Sequence, residues 1–419
     1  MDKLLILGAG VHEAFLVKRA HQLEYYTIVT EHYDNGQTSP AKDYADEAWD
    51  VSWNDIDKIC TKCKERGVRG IIAGFSEYKV EALIRITEKL GLPCYCTMGQ
   101  LNVTREKNLF KETCRKYGLP TVPEYVSVED VSNADFPVIV KPVDRGGSIG
   151  ITSAFNKEEL KTSVEYALSL SDAKQVVIER FMCDYTKFDI YYLIINGEYY
   201  YFTSSDTKMC KPGKGAETLQ KVWTYPSRYE SAFKEQYDEK VKNMLRGCGI
   251  KQGYITISAF AKDDEFYFFE TGYRFSGEHS FDISEMNIGI NYIDSMIALA
   301  MGENVSRFIP KYDPRTLYSI VLNYAGNIGY AVSVKGLDVI SSLDCLRSFI
   351  QYKKAGDKVG TEDKPHPRVA MISLCSFDKK KLIECATKVC ECYDLVDEDG
   401  NSLIYDKPVA EDFDCLELI

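Results

Sequence analysis

Two hydrophobic periods alternate along the first hundred residues. "KLLILGAG" (3–10) is a short apolar run ending in glycines, and "VHEAFLVKRAHQL" (11–23) then places its apolar residues on one helical face. "YYTIVTEH" (25–32) reads as the next strand. A helix follows around Asp55–Arg66, then the strand "RGIIAGF" (69–75), a helix from Glu77 to Leu90, and "PCYC". Apolar strands separated by amphipathic helices predict a parallel, doubly wound sheet over residues 1–98.

Beyond that point the pattern changes. "TREKNLFKETCRKYGLPTVPEY" (104–125) predicts a basic amphipathic helix stopped by Gly118 and Pro120. "FPVIVKPVDRGGSIGIT" (136–152) reads as strand, glycine-rich turn and strand. "QVVIERF" (175–181) and "KFDIYYLIINGEYYYFTSSD" (187–206) continue an antiparallel sheet, the second folding back at Asn196-Gly197. A helix is expected over 228–247, a hairpin over 253–270 turning at Lys262–Glu265, and a helix over 291–302. From Leu317 a smaller α+β segment follows, with a helix over 378–393. The chain shows no internal repeat and no low-complexity linker.

Composition narrows the class. The chain has 419 residues, 45% hydrophobic and 27% charged, enough for two or three domains with real cores. A formal net charge of −12 argues against a nucleic-acid partner, whose footprint would be basic. No apolar run approaches a membrane span, and the start runs straight into a strand rather than a leader pattern. The 14 cysteines are scattered without metal-site spacing, as reduced thiols in a cytoplasmic protein would be.

Three stretches carry chemistry. Lys141 closes a strand and precedes a glycine-rich loop, Asp144–Gly150, in which Gly146, Gly147 and Ser148 let backbone N–H groups approach an anion. Gly8-Ala9-Gly10 is an incomplete dinucleotide fingerprint, because Glu13 stands at the third glycine position. "DDEFYFFETGYRFSGEHS" (263–280) ends an aromatic strand with Glu270 and, four residues on, Arg274. A carboxylate and a guanidinium at a strand exit mark a site or an ion pair.

Taken in order, Lys107, "VIVKPVDRGGSIGIT", "VVIERFMCDYTKFDI" and "GYITISAFAKDDEFYFFETGYRF" resemble the ATP-grasp superfamily, particularly its carboxylate–amine ligase and biotin-carboxylase-like branch. The resemblance implies an α/β and α+β fold in three domains. They are a Rossmann-like pre-ATP-grasp domain (1–98), an ATP-grasp domain of two antiparallel-sheet subdomains (99–309) and a small α+β C-terminal domain (310–419). It implies that ATP is held by Lys107, Lys141, Gly146, Gly147, Ser148, Glu179 and the backbone near Arg180 and Met182. Lys187 falls near the ribose position, where relatives use a carboxylate or histidine, with Asp189 close by. Glu270 would hold Mg²⁺ and Arg274 would be the catalytic cation at the transferring phosphoryl group. The family's Glu-x-Asn-x-Arg has Gly272 for its Asn here. Ser258 occupies a position that is acidic in relatives, and Glu278, Asp282 and Asp206 are the candidate replacements.

The implied function is an ATP- and Mg²⁺-dependent ligase that joins a small-molecule carboxylate to an amine through an acyl phosphate, with a homodimer as the common assembly of such enzymes. Gly272 and Ser258 motivate the alternative, a non-catalytic or regulatory ATP-binding protein. A bicarbonate-using carboxylase is a variant of the first expectation, and a nicotinamide-dependent oxidoreductase ranks below all of these. His279 and the lysine-rich "TKMCKPGKGAETLQK" (207–221) are read as a structural histidine and a solvated loop.

Overall fold

The computed structural model describes residues 1–32, 39–144, 150–211, 216, 219–313, 315–362 and 364–419. Strands β1 (Lys3–Leu7), β2 (Tyr26–Thr30), β3 (Glu47–Trp49) and β4 (Val68–Ala73) form a parallel sheet in the order β3-β2-β1-β4. The apolar runs are continuous because both faces are covered. Leu5 and Leu7 pack with residues of α2 (Ile56–Arg66) and α3 (Glu77–Leu90). Leu4 and Ile6 face the opposite way, onto α1 (Val11–Gln22) and the later helix 292–300. That later helix comes so close that a Cβ at Gly70 in β4 would lie 2.6 Å from the Ala300 carbonyl oxygen and 2.5 Å from the Met301 sulfur. Gly70→Ala is therefore expected to cost about 1–3 kcal/mol by overpacking, read as a shifted urea midpoint.

Two short helices, α4 (Met98–Arg105) and α5 (Lys107–Lys116), lead out of this layer. The expected single helix from 104 breaks because Glu106 takes extended backbone angles (φ −84°, ψ 110°) and serves as the cap of α5. A four-stranded antiparallel sheet follows, ordered β5-β8-β6-β7, from β5 (Glu124–Tyr125), β6 (Val138–Pro142), β7 (Thr152–Ala154) and β8 (Val176–Arg180). Helix α6 (Lys157–Leu170) closes its small core of Val138, Val140, Ala154, Leu160, Ala167 and Ile178.

Strands β9 (Thr186–Ile195) and β10 (Glu198–Met209) form the expected hairpin, with Asn196 and Gly197 both at positive φ (53° and 83°). With β11 (Gln220–Tyr225), β12 (Gly253–Lys262) and β13 (Glu265–Gly272) they build a large antiparallel sheet, β13-β12-β9-β10-β11. The expected helix over 228–247 is two, α7 (Glu230–Gln236) and α8 (Asp238–Gly247), parted at Tyr237. Helices α9 (Phe281–Ile288) and α10 (Tyr292–Ala300) follow β13.

The large sheet does not stop at residue 309. Strand β14 (Tyr318–Gly326) pairs with β11 in the register Val222↔Leu322, and strands 368–376 and 346–351, with the short strand 404–405 beside β14, extend the sheet to nine strands. No helix among the described residues is long and apolar enough to cross a membrane.

Candidate active site

A set of charged side chains on the small sheet and the large one has no explanation in apolar packing. At its small-sheet end stands Glu179, on β8 and 6% exposed, with Ile139 and Glu124 as its strand neighbours. Lys141 on β6 donates to it at 2.5 Å. Lys111, on α5 and 2% exposed, donates to it as well and to Glu124 at 2.7 Å. Burial alone would push the Glu179 carboxyl up, but Lys141 and Lys111 outweigh it and hold the group at about 2. Lys111 is shared with Glu124, so Lys141 is the cation of this cluster that stays partly exposed and can meet an anion.

Lys107, the lysine expected from the sequence, is exposed in the first turn of α5. The inward-facing cation of that helix is Lys111, one turn later and beside Phe110 and Cys114 on the buried face. Its i, i+3 relation to Cys114 was the available signal. Arg180 and Met182 continue the strand. The Arg180 N–H donates to Pro123 O at 3.0 Å, its guanidinium lies 5.6 Å from the Tyr185 ring centre, and Met182 is buried. Asp144 and Gly150 flank the glycine-rich loop, whose Gly146, Gly147 and Ser148 lie outside the described residues.

The large sheet carries the other end. Lys187 lies on β9 and donates to Asp189 Oδ2 at 2.5 Å; Asp189 is 4% exposed. Ser258 on β12 donates to Asp189 Oδ1 at 2.5 Å, and Thr207 on β10 reaches Oδ2 at 3.2 Å. Glu270 pairs with Ser258 of β12 beside a β-bulge and is exposed. Arg274 follows, its Nε donating to Glu77 at 2.7 Å and its Nη1 to the Phe275 carbonyl at 2.9 Å. Burial works against its charge, but Glu77, Glu278 and Glu270 outweigh that and raise its pKa further.

Glu77 opens α3 just beyond the carboxyl end of β4, so Arg274 is held at the edge of the parallel sheet where such folds keep ligands. Gly8 at the end of β1 has φ +103°, and Glu13 accepts from the Gly10 N–H at 3.0 Å and from Lys79 at 2.7 Å. A carboxylate thus occupies the helix N-terminus that a dinucleotide's diphosphate would need, which is why the glycine pair does not read as a nicotinamide site.

The candidate replacement carboxylates divide. Asp206 accepts from Ser227 Oγ at 2.5 Å and is pushed to about 6, chiefly by burial; it serves the turn before α7. Asp282 is pushed to about 7 by burial and Glu285, among Arg347 and Arg19 rather than the strand end. Glu278 is half-buried near Asp189, Lys187 and Arg274, and burial with Asp189 raises its carboxyl. His279 is fully buried at φ +59°, its Nε2 2.5 Å from His12 Nδ1, between Phe15, Phe75 and Phe281. Burial holds His12 at about 4 and His279 well below the usual range, so both rings are neutral packing elements at neutral pH.

A family model described as the D-ala D-ala ligase C-terminus matches residues 101–243, which span α5, the small sheet and the hairpin just described. A formate-dependent phosphoribosylglycinamide formyltransferase of Trichormus variabilis is 25% identical over 289 residues, covering 65% of this chain and 70% of that protein. The matched family and this relative are ATP-grasp ligases, and the chain is similar to them. Its fold is that of an L-amino acid ligase from Bacillus licheniformis, with a TM-score of 0.76 at 18% identity over 94% of this chain and 98% of that one. It is also that of the biotin carboxylase domain of a Hydrogenobacter thermophilus 2-oxoglutarate carboxylase, solved with MgADP and bicarbonate (TM-score 0.72, 18% identity, 94% and 90% covered). The ATP-grasp fold thus confirms the expected mixture of a parallel sheet with two antiparallel ones.

The donor set of this site suits a nucleotide-bound divalent cation of modest protein ligation. Glu270 offers a carboxylate that makes no ion pair among the described residues, and Asp189 stands in the same row of the sheet. No preformed cluster of three metal-ligating side chains exists among the described residues. Mg²⁺ tolerates this, since it is commonly bound by one or two carboxylates plus phosphates and water.

Proposed function

We propose that this protein is an ATP-dependent ligase that joins a small-molecule carboxylate to an amine through an acyl phosphate. The observation that carries the reading is Arg274, fixed by Glu77 between the strand-end carboxylate Glu270 and the carboxyl edge of the parallel sheet. A cation there faces both a nucleotide in the cleft and an acceptor lying over Gly8–Gly10 and Gly74–Glu77.

Lys141, with Lys111 and Glu179 behind it, binds the phosphate chain; Lys107, Gly146, Gly147, Ser148, Arg180, Met182 and Lys187 are assigned to the nucleotide by the family order. Glu270 holds Mg²⁺, which when bound neutralises phosphate charge. A carboxylate oxygen of the first substrate attacks the γ-phosphorus and ADP leaves. Arg274 stabilises the charge that spreads over the transferring group, and then the oxyanion formed when the amine attacks the acyl carbon. Phosphate departs, and the amine's proton passes to Glu278, whose raised pKa and position fit a base. The 14 free cysteines suit a reducing compartment such as the cytoplasm.

The named relatives are enzymes, so the non-catalytic alternative gains no support from them. ADP release is expected only when a carboxylic acid is present, rising further with the matching amine across a panel. Nucleotide binding without turnover on any pair would revive the alternative, and turnover on bicarbonate alone would point to a carboxylase.

A further inference from the structure

Across the large sheet, Ser205, Asp189, Ser258 and Glu270 are direct lateral neighbours on β10, β9, β12 and β13. Direct antiparallel neighbours share a face, with Cα atoms about 5 Å apart. The row therefore reads hydroxyl, carboxylate, hydroxyl, carboxylate, with Ser258 between two acids. Asp189 is also oriented from three sides, by Ser258 at 2.5 Å, Lys187 at 2.5 Å and Thr207 at 3.2 Å. Burying a carboxylate to 4% exposure is costly unless a cation answers it, and here Lys187 is the answering cation.

We infer that Asp189, one strand beside Ser258, is a ligand of the nucleotide-bound divalent cation. The inference rests on the nucleotide–metal reading of Glu270. Ser258 is a support: its hydroxyl fixes Asp189 Oδ1 and leaves Oδ2 to a cation. In the nucleotide-free protein that cation is the Lys187 ammonium; with nucleotide bound, the metal takes its place and Lys187 is released toward the phosphates or ribose. Asp189 and Glu270, one on each side of Ser258, then hold the ion with phosphate oxygens and water. Metal binding should consequently be weak without nucleotide.

Mn²⁺ binding followed by electron paramagnetic resonance in the presence of ADP tests this, with metal-free ADP affinity as the fold control. Asp189→Asn keeps the shape and the bond from Ser258, and is expected to weaken Mn²⁺ binding by at least about the 10–100-fold that losing an outer-sphere partner costs. The transposed double variant Asp189→Ser with Ser258→Asp is expected to recover most of the affinity, which a merely structural role for Asp189 would not allow. Unchanged Mn²⁺ affinity in Asp189→Asn, with a loss in Glu270→Gln, would overturn the inference and leave the metal reading standing. No loss in either variant would overturn both. If Asp189→Asn also loses metal-free ADP binding, the transposed variant decides: recovery supports the ligand role, and failure overturns it.

Discussion

Replacing Arg274 with alanine is expected to lower turnover by about 10²–10³-fold while leaving the KM for ATP within a few-fold of the parent. The magnitude is that of removing one preorganised charge from a developing anion in a sheltered site. Arg274 is far better suited to that role than to holding the fold. Its side chain is 29% exposed and that of its ionic partner Glu77 28%, and pairs open to solvent in this way contribute little to stability. The loss should appear in kcat because the interaction strengthens as charge moves onto the transferring group. Arg274→Lys should recover only part, since a lysine cannot present the guanidinium fork. A fall of less than about tenfold in kcat for Arg274→Ala, in a variant that still binds ATP, would remove Arg274 from the reaction.

The second large effect concerns Glu179. Glu179→Ala leaves Lys111 buried with only Glu124 as its counter-ion, and is expected to destabilise the protein by about 3–5 kcal/mol, measured by urea unfolding. ATP affinity should fall as well, because Lys141 loses the carboxylate that orients it. The pH dependence has a definite sign. The folded-state pKa of about 2 lies below the ordinary 4.5, so this stabilisation is complete above the ordinary value and is lost as pH falls toward 2. Glu179→Gln should therefore flatten the acid limb of the stability curve between those two values. An acid limb unchanged by Glu179→Gln would show that the two lysines do not depend on this charge.

Much of this was legible in the amino-acid sequence where local pattern decides structure. The continuous apolar runs of β1 and β4 and the Asn196-Gly197 turn announce their elements because burial on two faces and positive φ leave few alternatives. Glu270 and Arg274 could be picked out because charge at the end of an aromatic strand is costly. What escaped depends on partners far along the chain. Lys111 and Lys107 are one helical turn apart with similar neighbours, and only packing against Glu179, on β8, tells which turns inward. Asp189 lies beside Ser258 through a strand register that no local pattern encodes. The continuation of the sheet into β14 is hidden in the same way, because its neighbour β11 lies roughly a hundred residues upstream.

The central claim is that ATP is spent to make an acyl phosphate, and the fate of the carboxylate oxygen reports on it directly. With the carboxylic acid and amine found in the substrate panel, the acid is labelled in both oxygens with heavy oxygen and the released phosphate is analysed by mass. One labelled oxygen per phosphate, released fastest when ATP, acid and amine are all present, is the expected result. ADP and phosphate formed at the same rate but without label would contradict the account.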